Sequence, residues 1–172
     1  MKLARLKVKN LKISLTSDLY LIPGIFHTKD LIITIYESSR KLINITKIKK
    51  ISHVAQIKQQ VEKRLKTKIV DCQIDNVFLS RKCSLNFNIM KLINTCKQFL
   101  SKTYFIYYNV EDFRGIYLIP LSRPNPSMII FRTGSVTVMG AKSQSDIKKC
   151  NKIVRRIFCE ENLRYPVEEE KV

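Results

Sequence analysis

The 172-residue chain is long enough for one well-buried core or two small repeats, and its 45% hydrophobic content excludes a disordered segment. Its 32 Lys and Arg against 14 Asp and Glu give a net charge of +18, which calls for a polyanionic partner, with nucleic acid ahead of an anionic lipid surface. Five cysteines without a Cys-x-x-Cys pair and two histidines, His27 and His53, exclude zinc-site spacing, and the lack of an apolar leader or an 18-residue apolar run predicts a soluble intracellular protein with reduced thiols.

The chain opens on a strand around Val8-Lys9-Asn10-Leu11, followed by the apolar stretch Leu19-Tyr20-Leu21-Ile22-Pro23. Leu31 to Tyr36 and Leu42 to Thr46 read as strands across a polar turn, and a basic helix covers about Ile51 to Leu65. Asp71 to Phe87 alternates with β-branched and aromatic residues, predicting a strand with a bend. Apolar residues at 89, 92, 93, 96, 99 and 100 then form one face at helical period, which predicts a helix from Ile89 to Leu100. Tyr104 to Leu121 returns to strand composition, interrupted by the polar turn Glu111-Asp112-Phe113-Arg114-Gly115 with its one exposed Phe. Arg123-Pro124-Asn125-Pro126 is a rigid turn. Met128 to Phe131, the turn Arg132-Thr133-Gly134-Ser135 and Val136 to Met139 make a hairpin. Ser143 can cap a long final helix, with Ile147, Cys150, Val154, Ile157 and Phe158 along one face and a basic remainder; the tail Val167 to Glu170 is acidic and expected to fray. Cys96 and Cys150 fall on apolar helix faces and read as small core residues.

The order of elements repeats. Leu19-Tyr20-Leu21-Ile22-Pro23 parallels Ile116-Tyr117-Leu118-Ile119-Pro120, and Val8-Lys9-Asn10-Leu11 parallels Ile74-Asp75-Asn76-Val77. Two unequal pseudo-repeats follow: residues 1–66, an abbreviated copy in which the first helix is missing, and residues 67–163, a complete copy, with 164–172 as an acidic tail.

Residues Met128 to Ser143, with Phe131, the turn around Gly134 and Met139-Gly140-Ala141-Lys142, resemble the most recognisable stretch of the TATA-box-binding protein family. There an apolar strand ends in Phe, a Ser-Gly turn follows, and a second strand leads through Thr-Gly-Ala-Lys into a basic helix. Ile74-Asp75-Asn76-Val77 is similar to that family's Ile-Gln-Asn-Val/Ile strand, and Glu111-Asp112-Phe113-Arg114-Gly115 to its Glu-Leu-Phe-Pro-Gly stirrup loop. The resemblance is close over about 67–161 and loose over 5–66. It implies an α+β saddle, a curved antiparallel sheet with helices on its convex face. It also implies a non-enzymatic factor that grips promoter DNA in the minor groove, without cofactor, metal, membrane or small-molecule substrate. Its partners would be a TFIIB-like initiation factor, met by Glu111 and Asp112, and the RNA polymerase machinery.

Strand alternation then assigns the groove face. Ile129 and Phe131 share one side of their strand while Met128 and Ile130 face the helices; Thr137 and Met139 lie on the groove side of the partner strand, as do Asn76 and Phe78. Asn10, Asn44 and Tyr36 are the expected counterparts in the first repeat. Amide donors such as Asn10 and Asn76 suit the A·T acceptors of the minor groove, and Phe113 and Phe131 would wedge between base steps. Lys142 at the rim, with Lys12, Lys41 and Thr133, would contact the backbone. Alternation alone leaves Phe131 and Ile129 equally compatible with a core, and Asn76 with a turn or edge position.

Departures from the family pattern touch the mechanism. Met139 stands where Thr is usual, Ile119 where Arg is expected, and Ser135 where Lys follows the turn. In the first repeat the counterpart of Phe113 falls near Thr16, and Tyr36 matches Phe131, so the expected grip is asymmetric and its TATA preference relaxed. Such slimming resembles the TATA-binding-like factors of large DNA viruses or divergent eukaryotes, which implies a nucleus or a cytoplasmic viral factory. Catalytic motifs are lacking: the chain shows neither a Gly-rich phosphate loop nor a nucleophile–base arrangement. Two other readings remain open: a protein-interaction subunit of a transcription complex with the same fold, and an RNA-binding module stacking single-stranded bases on Phe78, Tyr36 and Phe131.

Overall fold

A computed structural model of the chain describes residues 5–83, 87–111 and 113–158, with the Phe113 side chain also outside the description. The acidic tail and Asp112 therefore lie outside the described residues. Nine strands and three helices are described, and every strand pairing whose register is defined is antiparallel, so the fold is α+β. The chain divides into two compact units within one long strand, between Phe78 and Leu79.

The first unit runs from Val8 to Phe78 and also takes in Lys142–Gln144. It contains β1 (Lys7–Ser17), β2 (Gly24–His27), β3 (Ile32–Tyr36), β4 (Ser39–Thr46), a short 3-10 turn at Ile51–His53, α1 (Val54–Leu65) and most of β5 (Ile69–Arg81). Strand order here is β2-β3-β4-β1-β5. Alternation builds the core: Leu11, Ile13 and Leu15 from β1, Ile33 and Ile35 from β3 and Ile43 and Ile45 from β4 are buried, along with Ile57 and Val61 of α1. The helix stops where Lys66 turns left-handed (φ 49) and donates its N–H back to the Glu62 carbonyl.

Between β1 and β2 the parallel drawn with Ile116–Pro120 breaks down, because residues 19–23 form no strand. Asp18 redirects the chain: its N–H donates to the Lys68 carbonyl at 3.0 Å, and its carboxylate accepts the Thr67 hydroxyl at 2.8 Å and the Lys68 N–H at 3.1 Å. Those bonds, the Thr67 hydroxyl first among them, hold the Asp18 carboxyl below its usual range. Leu19, Tyr20 and Ile22 are left exposed, and pairing resumes only at Gly24.

The second unit comprises residues 5–7, Leu79–Ala141 and Ser145–Phe158 among the described residues. After the end of β5 come α2 (Ile89–Leu100), β6 (Tyr104–Asn109), β7 (Phe113–Pro120), β8 (Ser127–Phe131), β9 (Val136–Ala141) and α3 (Gln144–Phe158). Strand order is β5-β9-β8-β7-β6. The predicted bounds of α2 are met, with its N-terminus capped by the Asn88 side chain accepting the Lys91 N–H at 3.1 Å. All five apolar positions predicted for α3 are buried, as are Ile116, Leu118, Met128, Ile130, Val136 and Val138 on the facing sides of the strands. The stirrup turn is shorter than expected, since β7 already starts at Phe113.

Cys96 and Cys150 sit inside this core, and burial pushes both thiols up to about 12 from an ordinary 9.0. Unfolded thiols ionise from pH 9 upward while the folded ones stay protonated, so the native state binds more protons there and stability falls as pH rises from about 9 toward 12. Thermal unfolding followed from pH 8 to 11 should show a melting temperature that declines steadily above pH 9. Iodoacetamide at pH 8, read by peptide mass, should label the half-exposed Cys83 well before either buried thiol.

Candidate nucleic-acid interface

In the second unit, β8 alternates as expected: Met128 and Ile130 are fully buried, while Ile129 and Phe131 project to the half-exposed face. Register carries that face across the strands. Thr137 lies opposite Ile129, which in turn faces Tyr117 and then Tyr107; Met139 pairs with Ser127, and Phe131 with Gly115. Thr137 is half-buried and Met139 exposed, so both join Ile129 and Phe131. The sequence reading missed Phe105, Tyr107 and Tyr117, and noted Ile119 only as a departure. The signal was the same period-2 alternation in 104–121, where Tyr104, Ile116 and Leu118 take the buried side.

The turn that presents Phe131 is tightly bound. Gly134 adopts φ 75 and donates its N–H to the Phe131 carbonyl at 2.8 Å, and the Phe131 N–H donates to the Ser135 carbonyl at 3.0 Å. Ser135 hydroxyl donates to the Cys83 carbonyl at 2.9 Å and accepts the Cys83 N–H at 3.0 Å, an anchoring role for the residue that replaces the expected Lys. Arg81 passes beneath, 4% exposed, donating one N–H to the Gly134 carbonyl and stacking its guanidinium 4.5 Å from the centre of the Phe158 ring. Its Nε and Nη1 have no hydrogen-bond partner, and burial lowers its pKa. Thr133 sits in the turn and not on a strand face; its hydroxyl donates to Ser135 Oγ at 3.1 Å.

The first unit presents a different surface. Asn10, Lys12, Ser14 and Thr16 of β1 alternate with the buried residues, as do Asn76 and Phe78 of β5 and the exposed Tyr36 of β3. Asn10 Oδ1 accepts the Lys47 N–H at 2.8 Å and supports that residue's positive φ of 69. Asn44 departs from expectation. It is only 7% exposed, enclosed in a polar cluster in which the Ser14 hydroxyl lies 2.7 Å from Asn44 Oδ1 and 2.5 Å from an Asp75 carboxylate oxygen. A single hydroxyl hydrogen satisfies both contacts when the Asn44 amide is turned so that its NH2 donates to Ser14. Lys12 Nζ stands 3.8 Å from the same carboxylate. Strict alternation would put Asp75 beside Val77 on the buried side, so its meeting with Ser14 and Lys12 marks a break in the period of β5. Lys41 lies beside an irregularity in the pairing of β4 with β3, with Nζ 4.7 Å from the centre of the Tyr20 ring.

The remaining expected residues lie at the ends of strands or in turns. Lys142 is exposed immediately after β9, and Glu111 is exposed in the β6–β7 turn, its N–H donating to Asn109 Oδ1 at 3.1 Å. Phe113 opens β7. No cluster of three or more metal-ligating side chains occurs among the described residues, and no helix there is long and apolar enough to cross a membrane.

The sequence model for the family described as "Transcription factor TFIID (or TATA-binding protein, TBP)" matches residues 71–160, just over half of the chain. The chain belongs to the TATA-binding protein family. Among its relatives, the TATA-box-binding protein of Thermococcus kodakarensis is 35% identical over 80 residues, 46% of this chain and 38% of that protein. The TATA-box-binding protein of Thermococcus celer is 32% identical over 89 residues, 51% of this chain and 43% of that protein. The aligned part thus spans well under half the length of these curated relatives. In fold the likeness extends further: the structure of the Methanococcus jannaschii TBP matches 90% of this chain and 98% of its own with a TM-score of 0.63, at 19% identity. The α+β architecture expected from the sequence is therefore the TATA-binding protein fold. The family match includes β8, β9 and their turn, the segment on which the resemblance was first read.

Proposed function

We propose that this chain is a non-enzymatic transcription initiation factor that holds promoter duplex by its minor groove. The observation that carries this reading is the β8–β9 face, where Ile129, Phe131, Thr137 and Met139 stand together on the half-exposed side of strands whose other side is core, in a chain of net charge +18. Phe131, aided by Phe113, would enter between base steps and kink the duplex toward the major groove. Family membership and the name TATA-box-binding protein borne by the relatives support the choice of DNA. Asn10, Asn76 and Phe78 would meet base edges and sugars, with Lys142 on phosphate. The Glu111–Asp112 loop would receive a TFIIB-like factor, leading to the polymerase, in a nucleus or viral factory.

The grip is unequal. The first-unit face carries a carboxylate, Asp75, and a shielded Asn44, both unfavourable to close approach by a polyanion. Kinking belongs mainly to the end held by Phe113 and Phe131. The same carboxylate supports a second reading, in which the fold serves as an interaction subunit with weak, non-specific nucleic-acid binding.

Fluorescence anisotropy on TATA-containing duplex, scrambled duplex and single strand across a salt series separates the two, with wild type and Phe131→Ala side by side. Duplex binding that survives moderate salt and weakens about tenfold or more in the variant supports the minor-groove factor. Weak binding that is equal for all three probes and vanishes with salt favours the interaction subunit.

A further inference from the structure

Strands β6 and β7 present an aromatic surface that reading a minor groove does not call for. Tyr107 and Tyr117 are directly opposed in the ladder, their ring centroids 6.2 Å apart and tilted by 49°. One register step away Phe105 faces Ile119, and these two are 56% and 44% exposed. The other side of the same strands is filled by Tyr104, Ile116 and Leu118, at 1% exposure or less, so the outward rings are not spare members of the core. Large exposed apolar groups in a contiguous set mark a binding surface. Positive charge flanks one end of it. Lys102 and Arg123 are exposed beyond the Tyr104–Pro120 end of the strand pair, while the turn at the other end carries the exposed Glu111.

We infer that the β6–β7 face binds unpaired bases of single-stranded nucleic acid by stacking them on Phe105, Tyr107 and Tyr117. The argument goes beyond the duplex reading, because bases inside a duplex already have their faces covered and offer rings only an edge or a wedged-open step. Unpaired bases offer free π-faces, and side chains on one face of a strand recur about every 6.6 Å, a spacing that suits an extended strand of nucleotides. The flanking cations Lys102 and Arg123 suit the phosphates. A purely apolar peptide would leave those cations unused.

The chain has no Trp and 7 Tyr, so tyrosine emission reports stacking directly. An oligothymidine of a dozen nucleotides should quench that emission and bind the wild type in low salt. The double variant Tyr107→Ala/Tyr117→Ala, shown by circular dichroism to be folded, should lose roughly tenfold or more in affinity, since each stacked base contributes on that scale. Tyr107→Phe/Tyr117→Phe should keep most of the affinity while losing part of the quenching, which separates ring stacking from a general loss of fit. Should the double alanine variant fail to fold, Tyr107→Ser on the outer strand alone carries the test. Unchanged oligothymidine binding in the folded alanine or serine variant, or no binding by the wild type, overturns the inference. TATA duplex measured in parallel keeps the two claims apart: duplex binding without single-strand binding sinks only this one, and the reverse sinks only the minor-groove proposal.

Discussion

Met128→Ala is expected to lower the free energy of unfolding by about 2–5 kcal/mol, whereas Ile129→Ala, one residue along the same strand, should cost far less in stability and instead weaken duplex binding. The reason is the pleat. Met128 is fully buried and sits opposite Leu118 on β7 and Val138 on β9, themselves without exposed area, so removing its side chain leaves a void that three strands cannot close. Ile129 points the other way, between Tyr117 and Thr137 on the half-exposed face. Urea titration of both variants, with the midpoint read at unchanged m-value, measures the contrast, and anisotropy on TATA duplex supplies the binding half. Equal stability losses for the two would mean that β8 does not have a core side and a binding side.

Gly134→Ala should be the most damaging small substitution in the β8–β9 turn, at about 2–4 kcal/mol from left-handed strain together with overpacking. The position has φ 75, and an added Cβ would lie 2.6 Å from Phe87 Cε2 and 3.1 Å from Cys83 Sγ. Phe87 has little room to retreat: it is 7% exposed and packed at 5.1 Å against the Phe158 ring, over which the Arg81 guanidinium is also stacked. Gly140→Ala provides the control. Its φ of 85 imposes a similar strain, but the nearest atom to its Cβ, Pro126 Cα, is 3.9 Å away, so only the strain of about 1–2 kcal/mol applies. Chemical denaturation of the two variants isolates the contribution of Phe87. Loosening the turn should also blunt duplex binding through Phe131.

What could be read from the sequence was whatever depends on local period. The spacing of Leu92, Ile93, Cys96 and Leu100 was enough to bound α2, and alternation in Met128–Phe131 was enough to separate core from open face. Long-range partners were out of reach. Leu19–Pro23 is as apolar as a strand, yet Asp18 commits the backbone to Lys68, fifty residues on, and the segment forms no strand. Asn44 reads from sequence as a groove-face residue because nothing nearby announces Ser14 or Asp75 beside it. Tyr107 and Tyr117 were legible one at a time as strand residues, but their pairing needed the register of β6 against β7.

The outer margin of the first unit has a bearing on how the molecule behaves in concentrated solution. β2 ends the strand order there with only four residues, although Ile25 and Phe26 along it are exposed. An open margin of that composition invites copies of a protein to add strand to strand into fibres. A ladder of four residues gives such growth very little to hold, and chains that each carry +18 repel one another before they can align. The brevity of β2 and the basic charge thus both oppose such growth, and a medium rich in polyanion, which cancels that charge, is where self-association should first appear.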